Sequence, residues 1–294
     1  MKSYLTDRQQ SVFYNDHFSD YKLCMHGVPQ GSILGPLLFI IYTNDLPVNL
    51  LFDGVQSYMY ADDLALTVYN SNEDSLAVSL ANLYSIIEEW CNANYLKLNK
   101  DKTVDLIISI KSNNSCTINN AKFLGLHLES NLGWHYHVNQ IAAKLSKSLF
   151  ILRLLKQFMN LDALLTVYYA YVYSILSYGI ILWGNHSSVS KLLIIQKRCI
   201  RLICGAQART HCKPLFVRLG ILTIPSMYVL DCLLHVKKNA NKSIFHSSIH
   251  NHSTRNNANI CLPKCKYTLT QKNFDYISKK IFNSIPLNKR QLPL

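Results

Sequence analysis

Carboxylates are scarce in the second half of this 294-residue chain. From Glu129 to Leu294 there are 4 Asp/Glu against 22 Lys/Arg, whereas Met1 to Leu128 carries 13 against 8. A basic half of that kind calls for an anionic partner, either nucleic acid or an anionic membrane surface. The start of the chain lacks the basic-then-apolar pattern of a secretory leader. Paired cysteines are missing too, for the nine are odd in number and scattered, and Cys199, Cys204 and Cys232 stand inside apolar runs. Thiols so placed act as small hydrophobes, which argues against a disulfide framework and for a reducing, intracellular setting. No internal repeat is visible. With 49% apolar residues the chain can bury a sizeable core, so disorder throughout is excluded.

One segment imitates a membrane span. Ala163 to Trp183 is 21 residues without a charge, long enough to cross a bilayer. Five tyrosines, Thr166, Ser174 and Ser177 lie within it, and both flanks are basic. Tyrosine favours the interface over the bilayer centre, and balanced flanks give no orientation signal. The expectation is a buried helix and no membrane.

The rest reads as a mixed chain. Ile33 to Asn44 is an apolar run with Gly35-Pro36 at its start, expected as a buried helix. Val55 to Tyr69 is rich in strand formers and is interrupted by Asp62-Asp63, so it predicts a hairpin with two carboxylates at its turn. Leu76, Leu80, Leu83, Ile87 and Trp90 mark a helix that Asn72 or Ser75 could cap. Leu96–Asn99, Val104–Ser109 and Phe123–Leu128 read as short strands, with a polar turn over Ser112–Asn120. Helices follow: one striped by Val138, Ile141, Leu145, Leu149 and Leu152, one over 163–183, one over 191–204 and one over 214–238 broken near Pro225. From Asn239 the Asn-, Ser-, His- and Lys-rich composition predicts loops.

Two adjacent carboxylates at a turn suit a hard divalent cation that keeps waters and substrate phosphates in its shell. Alone, an Asp-Asp pair is more often a solvated turn. Its neighbours change the reading. Gly27-Val28-Pro29-Gln30-Gly31-Ser32 and Gly35-Pro36-Leu37-Leu38-Phe39 precede Tyr60-Ala61-Asp62-Asp63. Glu89-Trp90-Cys91, Leu98-Asn99, Lys102-Thr103 and Phe123-Leu124-Gly125-Leu126 follow in order. Over about residues 3–200 this series resembles the reverse transcriptases of non-LTR retrotransposons, most closely the jockey-like branch. The tail resembles them weakly, at His252–Arg255 and Asn283–Pro286.

The resemblance implies an α/β fold: a partial polymerase palm, an antiparallel sheet backed by helices, over 1–128. A helical thumb and extension would follow over 129–238, then a basic, loop-rich tail over 239–294. It implies RNA-directed DNA synthesis, in which a primer 3′-hydroxyl attacks the α-phosphate of a deoxynucleotide, with RNA as template, DNA as primer and two Mg2+ ions. Asp62 would be a metal ligand and Asp63 the secondary carboxylate. Tyr60 and Ala61 would edge the primer terminus. Pro29, Gln30 and Gly31 would lie beside the templating base and the nucleotide. Lys102 would face the departing pyrophosphate, and Phe123, Leu124 and Gly125 would grip the primer. Lys144, Lys147, Arg153, Lys197, Arg198 and Arg201 would meet the nucleic-acid backbone. The setting would be cytoplasm and nucleus, as a ribonucleoprotein.

The family's first aspartate box is not matched. Asp7, Asp16 and Asp20 lack its apolar strand context, so the chain is expected to be truncated and inactive alone. The alternative is a non-enzymatic nucleic-acid-binding remnant. His246, His250 or His252 with Cys261 and Cys265 have zinc-like spacing, but the order is reversed and the segment is compositionally His- and Asn-rich, so no zinc is expected.

Overall fold

The computed structural model describes residues 2–50, 52–108, 120–249 and 255–290. It divides into two compact units, Met1–Thr103 and Val104–Leu294. The sequence reading set its first boundary at 128, so residues 104–128 fall on the other side of the structural division.

In the first unit, residues 9–23 form a nested, exposed antiparallel ribbon, pairing Gln9–Gln10 with Lys22–Leu23 and Phe13–Tyr14 with His17–Phe18. Helix α1 (Leu34–Tyr42) then leads to the hairpin of β1 (Val55–Tyr60) and β2 (Asp63–Val68). Helix α2 (Glu73–Ala93) covers one face of that hairpin. It starts where expected, because the Asn72 side chain accepts a hydrogen bond from Asp74 N at 3.1 Å. Glu73 and Asp74 in the first turn suit the positive end of the helix dipole. Its inner stripe buries Leu83, Ile87, Trp90 and Cys91 with Leu46 and Leu50. Each such side chain contributes roughly 1.5–3 kcal/mol on burial. Trp90 Nε1 donates to Asp45 Oδ2 at 3.0 Å, tying the end of α2 to the segment after α1.

Three expectations for this unit change. Helix α1 forms, but only Gly35 is buried, while Ile33, Leu37, Ile40 and Ile41 lie open. The run is apolar all round, and the hairpin's apolar face is taken by α2. Leu96 and Leu98 point inward with strand-like alternation, yet residues 96–99 pair with no strand. Residues 104–108 are not a strand either, while Ser109 and most of the Ser112–Asn120 turn lie outside the described residues.

The second unit opens with a hairpin, β3 (Asn120–Phe123) and β4 (Leu126–Glu129). Phe123–Leu128 is thus two strands around a turn, not one strand. Helix α3 (His135–Leu155) buries Val138, Ile141, Leu145, Ser148 and Leu152. The uncharged segment becomes a broken rod: α4 (Leu161–Tyr168), a π-helical turn (Tyr169–Tyr173), α5 (Ser174–Ser177) and α6 (Ile180–Trp183). Leu164, Tyr168, Val172, Leu176 and Ile180 follow one another at steps of four and are all 3% exposed or less. At 3.6 residues per turn, each step of four drifts the face by roughly 40°. The wider π turn takes up that drift and keeps all five in the core. Ser148 Oγ donates to Tyr171 O at 3.0 Å, satisfying a carbonyl within the π turn. Gly179 (φ +62°) then breaks the rod, a conformation glycine adopts without strain.

Helices α7 (Val189–Ile203), α8 (Lys213–Leu219) and α9 (Ile224–Lys238) complete the core. Gln196 is fully buried and fully bonded. Its Nε2 donates to Tyr168 Oη (3.0 Å) and Leu222 O (2.9 Å), and its Oε1 accepts from Ile224 N (3.1 Å). No single helix among the described residues is long and apolar enough to cross a membrane, although α8 and α9, bent by 52°, pass on length and composition as a pair.

The tail holds more structure than its composition suggests. Helix α10 (Phe274–Ser284) packs on α9. Asn283 exchanges hydrogen bonds with the backbone of buried Ile260, and the Arg290 guanidinium donates to the carbonyls of Ala258, Asn283 and Ile285. The Asn283–Pro286 segment therefore closes the tail on itself.

Candidate functional site

Tyr60 pairs with Asp63, so the β1–β2 turn consists of Ala61 and Asp62 alone. Ala61 has φ +52° and Asp62 does not have positive φ. That is the φ pattern of a II′ turn, whose first position is normally glycine. The strand alternation sends Met59, Leu64 and Leu66 toward α2 and leaves Tyr58 and Tyr60 open, 55% and 67% exposed. Asp63 shares the open face with both tyrosines, and Asp62 stands exposed at the tip. Two adjacent solvent-facing carboxylates make an incomplete donor set for a hydrated divalent ion, of the kind that one or two carboxylates and substrate phosphates complete. Among the described residues, no three His, Cys, Asp or Glu side chains come together as a metal cluster. For the zinc-like set, Cys261 and Cys265 are half-buried, and His250 and His252 lie outside the described residues.

The Gly27–Ser32 loop turns at two left-handed glycines, Gly27 (φ +76°) and Gly31 (φ +77°). A Cβ at either would meet open space, so backbone conformation alone selects glycine there. Residues before the loop fasten it. The Arg8 guanidinium donates to the carbonyls of His26 and Gly27. Tyr4 Oη donates to Ser32 Oγ at 2.5 Å, and Ser32 Oγ accepts from Gly35 N at 3.1 Å. Pro29, Gln30 and Gly31 thus sit on a loop with both ends anchored. Lys102 is exposed on a short 3-10 turn, Lys100–Lys102, which the Asn99 side chain caps by accepting from Lys102 N at 3.3 Å.

Phe123, Leu124 and Gly125 belong to the second unit. Phe123 pairs with Leu126, and Leu124 (φ +45°) and Gly125 (φ +80°) form a two-residue left-handed turn, the I′ type that matches strand twist. Leucine is strained at such a φ. Tyr178 holds the turn: its Oη donates to Leu124 O at 2.5 Å, and its ring lies 3.5 Å from where a Gly125 Cβ would stand. Trp183 Nε1 in turn donates to Tyr178 O at 3.1 Å. The hairpin also docks on α3. His127 N donates to His137 Nδ1 at 3.3 Å, and Glu129 Oε1 accepts from Tyr136 N at 2.6 Å. Burial pushes the His137 imidazole down to about 4, with the His127 and Lys144 charges acting in the same direction.

Of the basic side chains, Lys144, Lys147 and Arg153 are exposed on α3, Arg198 is exposed on α7, and Lys197 and Arg201 are half-buried there. Tyr4, Arg8 and Tyr178, which shape the loops, have no role in the sequence motifs, and Asn99 stands there only as part of the Leu98-Asn99 match. Only Tyr178 had a visible marker, the Gly179 that interrupts an apolar run.

Residues 1–128 match the family model described as reverse transcriptase (RNA-dependent DNA polymerase). Over those residues the chain is similar to the reverse transcriptase family, and its relatives among mobile elements are RNA-directed DNA polymerases. The similar proteins include a probable RNA-directed DNA polymerase from transposon BS of Drosophila melanogaster, 32% identical across 74% of this chain and 26% of that one. A probable RNA-directed DNA polymerase from the X-element of the same fly is 28% identical across 70% and 25%. The RNA-directed DNA polymerase from its mobile element jockey is 24% identical across 70% and 25%. The chain spans about a quarter of the length of these relatives. No solved structure matches.

Proposed function

We propose that this chain forms part of an RNA-directed DNA polymerase, with the first unit contributing palm and the helices of the second forming a thumb and extension. The observation that carries the reading is the exposed Tyr60-Ala61-Asp62-Asp63 turn at the tip of a hairpin backed by α2. Asp62 and Asp63 would hold Mg2+, which stabilises the charge that develops on the phosphate oxygens during nucleotidyl transfer. Tyr58 and Tyr60 offer a flat open face beside the turn. The anchored Pro29–Gly31 loop would shape the pocket for the pairing base, and Lys102 would supply a cation for pyrophosphate. The turn of Leu124 and Gly125, stiffened by Tyr178, would hold the primer strand. Lys144, Lys147, Arg153, Lys197, Arg198 and Arg201 would neutralise backbone phosphates of the RNA template and DNA primer. A ribonucleoprotein shared between cytoplasm and nucleus is the setting this activity fits.

A second reading is a nucleic-acid-binding protein without catalysis. It is favoured by the lack, among the described residues, of a third metal-ligating side chain beside Asp62 and Asp63, since positioning by several ligands dominates phosphoryl-transfer catalysis. Iron-directed cleavage tests the metal site without needing turnover. With Fe2+ and peroxide present, backbone scission is expected at residues 60–64, and Asp62→Asn should remove it while added Mg2+ suppresses it. Scission at the Cys261–Cys265 segment instead would place the metal elsewhere.

A further inference from the structure

A cleft in the second unit, between α7, α8 and the turn before α9, holds about 750 Å3. Five basic side chains line it: Lys197, Arg201, Arg209, His211 and Lys213. No Asp or Glu does, and the two ion pairs among the described residues involve none of the five. Arg209 and His211 lie between α7 and α8, and Lys213 opens α8. The segment is fixed in place by Arg201, whose Nε donates to Thr210 O at 2.9 Å. Arg201 keeps its two terminal amino groups for a ligand. The floor of the cleft is apolar, with buried Phe216 and Ile221 and half-buried Leu193 in its lining, and Val217, 75% exposed, adds apolar surface at its mouth.

Like charges gathered on one concave wall repel one another, and a bound polyanion relieves that repulsion. A cationic rim over an apolar floor fits a ligand whose phosphates alternate with flat, weakly polar rings. Nucleic-acid single strands have that chemistry, and their bases can leave the stack to lie on a floor or against a ring such as His211. A base-paired duplex shows phosphates and groove edges only. An anionic membrane offers charge as well, but Phe216, Ile224, Met227, Tyr228 and Cys232 of α8 and α9 are buried in the core, which leaves Val217, Val229 and Leu230 as the exposed large apolar side chains of the pair.

We propose that this cleft binds a single-stranded segment of RNA or DNA, seating one base on its apolar floor and two or more phosphates on its rim. The proposal rests on the nucleic-acid-binding reading above and adds a defined site to it.

The test uses the full chain and fluorescence anisotropy with a 15-nucleotide poly-dT strand, a blunt duplex of equal length and phosphatidylserine vesicles, each across a salt series. Arg209→Ala with Lys213→Ala changes two exposed side chains. It should weaken strand binding about tenfold and flatten the log K against log salt slope by about 1.4, from about 0.7 per released single-strand phosphate. Val217→Asp should weaken binding without changing the melting temperature. Lys242→Ala with Lys272→Ala, an equal loss of charge outside the cleft, should stay within about twofold. His211→Ala should reduce the preference for strand over duplex. If the cleft pair and the control pair weaken binding equally, the cleft is not the site, though the broader reading stands. Equal binding of strand and duplex would remove the seated base. Binding to vesicles alone would hand the surface to a membrane. No binding of either nucleic acid by the unaltered chain would overturn the cleft and the reading beneath it together.

Discussion

Ala61 occupies a left-handed position without being glycine, at the tip that presents Asp62. An L-residue there costs roughly 1–2 kcal/mol, so Ala61→Gly should stabilise the first unit by about 1 kcal/mol, read by urea unfolding. Gln196 shows the opposite situation, a buried polar group with every bond made. Gln196→Leu would strand the Tyr168 hydroxyl, the Leu222 carbonyl and the Ile224 amide. Each such group costs about 1–3 kcal/mol, so the second unit should lose several kcal/mol of stability. His137 makes a pH prediction. Its folded value of about 4 lies below the ordinary 6.5, so the unfolded chain binds the extra proton between those values. The imidazole's own contribution to stability should be constant above about pH 6.5 and fall as pH drops toward 4. His137→Phe should flatten that decline between pH 7.5 and 5, measured by denaturant unfolding at each pH. A slope unchanged by the substitution would remove His137 as its source.

Elements differ in how far their sequences betray them. The β1–β2 hairpin was legible, because Val, Tyr, Leu and Thr alternate around a short polar break. So were α2 and α3, whose apolar residues recur at helical spacing. The Phe123–Leu126 turn was hidden, since Leu124 is no turn former and its conformation depends on Tyr178, 54 residues away. The exposure of α1 was hidden as well, because a helix apolar all round gives no hint of which face finds a partner. Helix α10 was masked by the Asn- and Lys-rich composition around Phe274, Ile277 and Ile281. As for the site, the residue types and their order were readable, while the fastening by Tyr4, Arg8 and Asn99 was not. These fasteners are polar side chains bonded to backbone, and no periodicity marks them. One of the hidden contacts gives an element-scale prediction. Tyr178→Phe keeps the ring but removes the donor to Leu124, so amide exchange at Leu126–Glu129 should speed up severalfold while the melting temperature of the second unit hardly moves. Unchanged exchange would show that the turn holds itself.

At the scale of the whole molecule the two units are unequal. Among the described residues the first buries a cluster of six apolar side chains and the second a cluster of twenty-two. Stability follows buried apolar area, so urea should unfold the chain in two steps with the first unit leaving first. Trp90 reports on the first unit, and Trp134 and Trp183 on the second. Trp90→Phe should therefore delete the early fluorescence step alone. The charge is unequal too, with the surplus of Lys and Arg after residue 128 and the Asp62-Asp63 turn before it. On the proposed reading, the basic surface after residue 128 would hold nucleic acid and the Asp62-Asp63 turn would hold the metal. Primer extension tests it most directly. The chain is joined behind the upstream segment of a complete relative and given an RNA template, a DNA primer, deoxynucleotides and Mg2+. The account predicts templated extension that Asp62→Asn abolishes and Lys102→Ala slows, with primer binding intact in both. Extension that proceeds equally well with Asp62→Asn would contradict the central assignment, that this turn holds the catalytic metal.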